Sequence, residues 1–314
     1  MHSSKMRIIF MGTPEFAVPS LEGLIQRGHK LVYVVTQPDR PKGRGRKLKP
    51  PPVKEVALAH GIPVLQPEDL SEKGFLDILR QEEVELIVVV AYGQILTAEI
   101  LQIPTFGAIN VHPSLLPKYR GAAPIQWTIM NDEPVTGVTI IKMNEKMDAG
   151  PILLQKEVPV LPDETAGSLH DRLAQLGAEL LLEAIDKISD GSIKEIPQDD
   201  SKATYAPKID KSFSKIDWNS SAKDISAKIR ALDPWPGAVS TVKDKELKLF
   251  SSSVVDFSHK GTPGSIYAIE QEGVIIETAE GLVLVREFQA PGRKRLKAKE
   301  FLKGFPLKKG DRFF

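Results

Sequence analysis

At 314 residues the chain is long enough for two domains with separate cores, and it contains no cysteine, which excludes disulfides and thiolate metal sites. Its 41% hydrophobic and 26% charged residues are those of an ordinary soluble protein. The net charge of +1 hides an asymmetry: residues 209–314 hold 19 Lys and Arg against 14 Asp and Glu, residues 1–208 hold 23 against 27, and the basic half implies a polyanionic partner.

The six histidines lack HxxxH or HExxH spacing, so no zinc enzyme is expected and no metal is assigned. No apolar run reaches the roughly 18 residues of a membrane span. Met1–Lys5 lacks the apolar core of a signal peptide, which points to the cytosol.

In chain order, Arg7–Met11 reads as a compact apolar strand. Gly12-Thr13-Pro14 then turns into a helix over Glu15–Gln26, with Thr13 as N-cap and Pro14 in its first position. This strand–turn–helix opening lacks the GxGxxG fingerprint, which argues against a nicotinamide enzyme. Gly28 ends the helix, and Leu31–Thr36 forms a second strand. The segment from Gln37 to Pro52 is rich in proline and glycine. Between Arg40 and Lys49 it carries six cations (among them Arg40, Lys42, Arg44, Arg46 and Lys47) and no acid. Such a stretch buries no core and is expected to be mobile, either a solvated spacer or an arm that orders on RNA.

Val53–His60 reads as a helix, Pro63–Leu65 as a short strand and Ser71–Glu82 as a helix. Leu86–Ala91 is near-continuously apolar, as a parallel strand buried on both faces requires. It empties into Tyr92-Gly93-Gln94-Ile95-Leu96 at its carboxyl end. Phe106–His112 is another buried strand, and its period of two puts Asn110 and His112 on one face. A neutral amide donor thus stands beside the one side chain that titrates near neutral pH. A histidine near a strand end is often only a hydrogen-bonded structural residue. Pro113 and Pro117 stop regular structure, Gly121 permits a tight turn, and Pro124 opens a helix over Ala123–Met130. Alternating strands and helices spell a doubly wound, Rossmann-like α/β domain, whose ligands lie at the carboxyl ends of strands.

Val135–Lys142 alternates like a strand, and Asp148 lies in the turn before Gly150-Pro151, where aspartate is ordinarily a turn former. Pro151–Val160 reads as a β-arm and Thr165–Ile188 as a long helix closing the first domain. The expected division is a catalytic domain over 1–189, a linker over 190–208 and a second domain over 209–314. In the second domain a helix over Ala222–Ala231 precedes short strands at Ala238–Val242, Glu246–Val255, Gly264–Ile269, Val274–Glu277 and Leu282–Phe288. Short strands with Gly, Pro and Asp turns fit a small OB-like β-barrel. A basic cluster, Arg293-Lys294-Arg295-Leu296-Lys297-Ala298-Lys299, sits on a loop entering a helix.

The run Asn110-Val111-His112-Pro113-Ser114-Leu115-Leu116-Pro117-Lys118-Tyr119-Arg120-Gly121-Ala122-Ala123-Pro124-Ile125 resembles the signature of the folate-dependent formyltransferases. The likeness extends to Phe10-x-Gly12-Thr13-Pro14-x-Phe16, the Gln37-Pro38-Asp39-Arg40-Pro41-x-Gly43-Arg44-Gly45 loop, Asp148-Ala149-Gly150, Ile216-Asp217-Trp218 and Asp233-Pro234-Trp235-Pro236. Lys146-Met147 departs from the Gly-Leu pair common there.

The resemblance implies formyl transfer from 10-formyltetrahydrofolate to the amino group of methionine on initiator methionyl-tRNA, by a monomer. In that reading Asn110, His112 and Asp148 are catalytic, with Asp148 closing over His112. Ser114, Leu115, Leu116 and Pro117 line the folate cleft, and Tyr92, Gly93, Gln94 and Ile95 form part of the pterin pocket, largely through backbone. The loop carrying Arg40, Lys42, Arg44, Arg46 and Lys47, with Arg44 at the motif position, meets the tRNA acceptor end. Arg293, Lys294 and Arg295 of the barrel bind the same tRNA.

Two other classes compete. A hydrolase could be imagined from Ser114, His112 and Asp148, although no GxSxG elbow is present. A non-catalytic RNA-binding protein would explain the basic half but leave the Asn–His pair idle.

Overall fold

The computed structural model describes residues 5–42 and 47–314. By packing, the chain divides into two units: residues 1–121, 136–158 and 170–206, and residues 122–135, 159–169 and 207–314.

The first unit opens with β1 (Arg7–Gly12), α1 (Val18–Arg27) and β2 (Lys30–Val35). Thr13 does not cap the first helix. A 3-10 turn over Glu15–Ala17 intervenes, and α1 starts at Val18. The Thr13 hydroxyl instead donates to the Tyr92 carbonyl at 3.0 Å and accepts from the Gln37 N–H at 3.4 Å, joining the carboxyl ends of neighbouring strands. Gly28 ends α1 with φ 74°, a left-handed cap that glycine adopts without a Cβ penalty.

A hairpin of β3 (Arg40–Lys42) and β4 (Lys47–Lys49) follows, its strands antiparallel. The flanks of the basic segment are therefore paired strands rather than irregular chain. Pro41 stands opposite Leu48, and a two-stranded ladder, both of whose strands are edges, tolerates a proline. Arg44 and Arg46 lie outside the described residues. The root of the hairpin is anchored: Lys54 Nζ donates to both oxygens of Asp39 at 2.8 and 2.9 Å and to Gln66 Oε1 at 2.6 Å.

Next come α2 (Pro52–Ala59), β5 (Val64–Leu65), α3 (Lys73–Gln81), β6 (Leu86–Val90), α4 (Ala98–Leu101), β7 (Ala108–His112) and the two-residue β8 (Arg120–Gly121). After α5 (Pro124–Met130) the chain adds β9 (Val135–Lys142), β10 (Ile152–Pro159) and the 24-residue α6 (Ala166–Ser189). The seven-stranded sheet runs β10-β9-β7-β6-β1-β2-β5. Its β7, β6, β1, β2 and β5 are parallel, and all five residues of β6 are buried. The sheet is not parallel throughout, because β9 runs antiparallel to β7. On one face Ile9, Met11, Ile87 and Val89 join Leu79, Tyr92 and Ile100 in a cluster.

The segment expected as a linker lies along this unit: β11 (Tyr205–Ala206) pairs in parallel with β8.

The second unit contains α7 (Ala222–Ala231), capped by Ser221, whose hydroxyl accepts the Asp224 N–H at 3.1 Å. Its sheet comprises β12 (Ala238–Val242), β13 (Lys245–Asp256), β14 (Ile266–Ile269), β15 (Val274–Glu277), β16 (Leu282–Gln289) and β17 (Leu296–Lys297), before α8 (Ala298–Gly304). Each pair is antiparallel, with β12 and β14 at the two edges. Residues 311–314 bridge those edges. Ile266 N–H donates to Asp311 O, Phe313 N–H to Gly264 O, and Thr241 and Phe314 exchange backbone bonds of 3.0 and 2.8 Å. The sheet thus closes on itself around Leu247, Leu249, Val283, Val285, Phe288 and Phe313, the barrel expected from its short strands.

Candidate active site

β7 delivers the two central side chains. In its burial pattern Asn110 is half-buried and His112 is 4% exposed, two residues apart on the same face. Among the described residues the Asn110 amide has no side-chain hydrogen bond. The His112 ring is held at Nε2, 2.9 Å from the Tyr119 carbonyl oxygen.

Asp148, thirty-six positions on, reaches the same place. Its Oδ2 lies 3.7 Å from His112 Nδ1 and accepts the Gly121 N–H at 2.8 Å. Asp148 is in the left-handed region at φ 51°, an uncommon setting for a residue with a side chain. Gly150 lets this turn close, since a Cβ there would overlap the Lys142 carbonyl oxygen. Gly121, at φ 117°, faces the Ala206 carbonyl oxygen, which a Cβ would approach to 2.8 Å.

The Ser114–Pro117 loop is tied down by side chains that sequence reasoning did not single out. Thr139 Oγ1 donates to Ser114 O at 2.6 Å and accepts from Leu116 N–H at 3.2 Å. Gln155 Nε2 donates to Leu116 O at 3.0 Å. These backbone groups are therefore engaged within the protein. Ser114 and Leu116 are buried, whereas Leu115 and Pro117 are half-exposed. Ser114 Oγ donates to Lys118 O at 2.7 Å, and His112 Nε2 is directed at Tyr119. The serine hydroxyl is thus spent on Lys118 O and not on His112, which counts against the hydrolase alternative.

At the end of β6 the Tyr92 side chain turns into the core, its hydroxyl buried with no partner among the described residues, and burial pushes its pKa up to about 12. Gly93 is exposed at φ 94°, Gln94 is half-buried, and Ile95 is 75% exposed.

Of the basic candidates, Arg40 is exposed and lies 3.4 Å from Gln37 Oε1. Lys42 and Lys47 are opposite each other in the hairpin. In the second unit Arg293 and Lys294 are exposed and hold no ion pair among the described residues. Arg295 differs, being bound to Asp233 and Glu287 and lying over the Phe250 ring at 4.2 Å.

Residues 6–185 match the formyl transferase family and residues 208–306 the formyl transferase C-terminal domain family. The chain is 46% identical over 306 residues to a methionyl-tRNA formyltransferase of Moorella thermoacetica, covering 98% of each. It is 50% identical over 304 residues to that of Trichlorobacter lovleyi, covering 97% of this chain and 96% of the relative. Among solved structures, HypX from Aquifex aeolicus in complex with tetrahydrofolic acid aligns with TM-score 0.67 at 22% identity, over 99% of this chain and 51% of that one. WlaRD, a sugar 3N-formyl transferase, aligns with TM-score 0.69 at 20% identity, over 93% of this chain and 100% of that one. These two share the fold.

Proposed function

The chain belongs to the methionyl-tRNA formyltransferases, a folate-dependent family, and from that premise we infer how its central loop carries the transfer. The enzyme formylates the methionine of initiator methionyl-tRNA. In our reading the donor is 10-formyltetrahydrofolate, which supplies the formyl group. The half-buried Asn110 amide, with no side-chain hydrogen bond among the described residues, suits a carbonyl-bearing donor, and the exposed Gly93 and Ile95 suit a flat ring beside it.

The methionine amino group must attack the formyl carbon, so negative charge develops on the formyl oxygen and a proton must leave nitrogen. Asn110 donates its amide hydrogens to that oxygen as the charge grows. A carbonyl can only accept, so His112 carries its proton on Nε2, against Tyr119 O, and leaves Nδ1 as the basic nitrogen. Nδ1 takes the amine proton. The carboxylate of Asp148, 3.7 Å away, then stabilises the imidazolium, which returns the proton to the departing nitrogen.

The polarity of the His112–Tyr119 bond is the observation that carries this reading. A transfer assay with formyl donor and charged initiator tRNA tests it. Substituting His112 should abolish most turnover, and near-normal turnover would overturn it.

For the tRNA, the reading assigns the acceptor end to the hairpin with Arg40, Lys42, Arg44, Arg46 and Lys47, and backbone phosphates to the barrel. Support comes from the anchored hairpin root and the charge excess of residues 209–314. In this division the reacting groups lie within residues 1–189, supported by Gln198 and by β11 on β8, and residues from 209 supply the bulk tRNA affinity. Loss of tRNA binding in a chain ending near Lys208, with retention of reduced folate, is the expected result.

A further inference from the structure

Gln198 lies in the stretch expected as a linker, yet its side chain reaches the loop that carries Asp148. Nε2 donates to Asp148 O at 2.8 Å and to Gly150 O at 2.7 Å. Oε1 accepts from Arg120 Nε at 3.2 Å and Nη2 at 2.8 Å. Two donors and two lone pairs are all that a carboxamide offers, and all four are used. The orientation of the amide is fixed by its neighbours. Flipped, it would set oxygen against two carbonyls and N–H against a guanidinium.

Arg120 is 4% exposed and its Nη2 also contacts Asp200 Oδ1 at 2.7 Å, so the guanidinium is itself held in place. Arg120 precedes Gly121, whose N–H binds the Asp148 carboxylate. Gln198 therefore joins both sides of the Asp148 contact: the backbone that projects the carboxylate, and the strand that receives it.

We propose that Gln198 is a positioning residue for the transfer reaction, holding Asp148 in its left-handed conformation so that its carboxylate faces His112. This rests on the catalytic reading of Asn110, His112 and Asp148. A non-glycine residue in the left-handed region relaxes unless its surroundings over-determine it, and Asp148 is restrained here through its own carbonyl. Release of that carbonyl lets the carboxylate swing away from Nδ1 while Asn110 and both substrate surfaces stay unchanged.

The test is steady-state kinetics of full-length Gln198→Glu. The substitution keeps size and the acceptor for Arg120 but places an oxygen against the two carbonyls. Gln198→Asn, too short to span both partners, is the second variant should the first fail to fold. Turnover should fall by about tenfold or more, the scale of an ångström-sized misplacement, with KM for donor and tRNA within about twofold. Thermal unfolding should show a folded, cooperative protein. Combined with Asp148→Asn, either variant should add little further loss, because its effect passes through the carboxylate. Wild-type turnover in Gln198→Glu, or a loss that multiplies in full with Asp148→Asn, would overturn the proposal. Near-normal turnover of Asp148→Asn alone would instead remove the role of Asp148, and the positioning role with it.

Discussion

Arg295 grips Asp233 with two parallel bonds, Nη1 to Oδ1 at 2.7 Å and Nη2 to Oδ2 at 3.0 Å, while its Nε meets Glu287. Asp233 is buried, so this guanidinium neutralises a carboxylate inside the barrel unit. Arg293 and Lys294, next to it in sequence, point no charge at a carboxylate among the described residues.

The two kinds of cation should therefore respond differently. Arg293→Ala with Lys294→Ala should leave stability unchanged and lower the salt slope of tRNA binding by up to about one per lost phosphate contact. Arg295→Ala should cost about 1–3 kcal/mol of stability, discounted because part of the guanidinium is in water. Denaturant unfolding and salt-titrated binding separate them. An unchanged salt slope in the double variant would exclude that loop from phosphate contact.

His112→Gln should separate structure from chemistry at the central strand. Its amide can still donate to the Tyr119 carbonyl but offers no base in place of Nδ1. Turnover should fall by roughly a hundredfold or more, the scale of a lost acid–base group, with little change in substrate affinity. Asn110→Ala should lose a similar factor through the oxyanion. Single-turnover assays with saturating tRNA give the comparison.

Tyr92 gives a pH signature. Its folded-state pKa, about 12, lies above the ordinary tyrosine value near 10, because burial disfavours the phenolate. Between those values the unfolded chain loses the proton first, so stability is lost as pH rises from about 10 to 12. Tyr92→Phe removes a buried hydroxyl that has no partner among the described residues. It should be neutral or slightly stabilising at pH 7, and should outlast the wild type by on the order of 2 kcal/mol near pH 12. Urea unfolding of both proteins across pH 8–12 reads the difference.

Gly150→Ala should disable the enzyme without touching a reacting group. The added Cβ overlaps the Lys142 carbonyl, so the turn must open and carry Asp148 with it. A stability loss of about 2 kcal/mol or more is expected, with turnover falling further than the folded fraction does. Activity per folded molecule at wild-type level would show that Asp148 tolerates the shift.

Much of this was legible in order along the chain. The near-continuous apolar run Leu86–Ala91 reads as a strand buried on both faces, and its first five residues form one. The period of a strand is two, so Asn110 and His112 had to share a face wherever β7 lay. Gly28 marked the end of α1, and the run from Asn110 to Ile125 carried the family resemblance by itself. Short strands between Gly and Pro turns announced the second sheet.

Other features depend on contacts between residues far apart, and local patterns do not encode those. Strand direction is one: β9 alternates in sequence, yet Thr136–Ile141 are all buried, and nothing in that pattern marks its antiparallel course beside β7. Thr13 has the side chain of a cap, but its hydroxyl is spent on Tyr92 and Gln37. Composition counts Arg295 as a free cation, whereas the fold sets Asp233 against it. The 3.7 Å between His112 and Asp148, the nitrogen that Tyr119 leaves basic, and the span of Gln198 from Arg120 to Asp148 are equally tertiary. A polar side chain in a stretch without periodicity shows no sign of its partners, because a hydrogen bond depends on position in space and not on spacing along the chain.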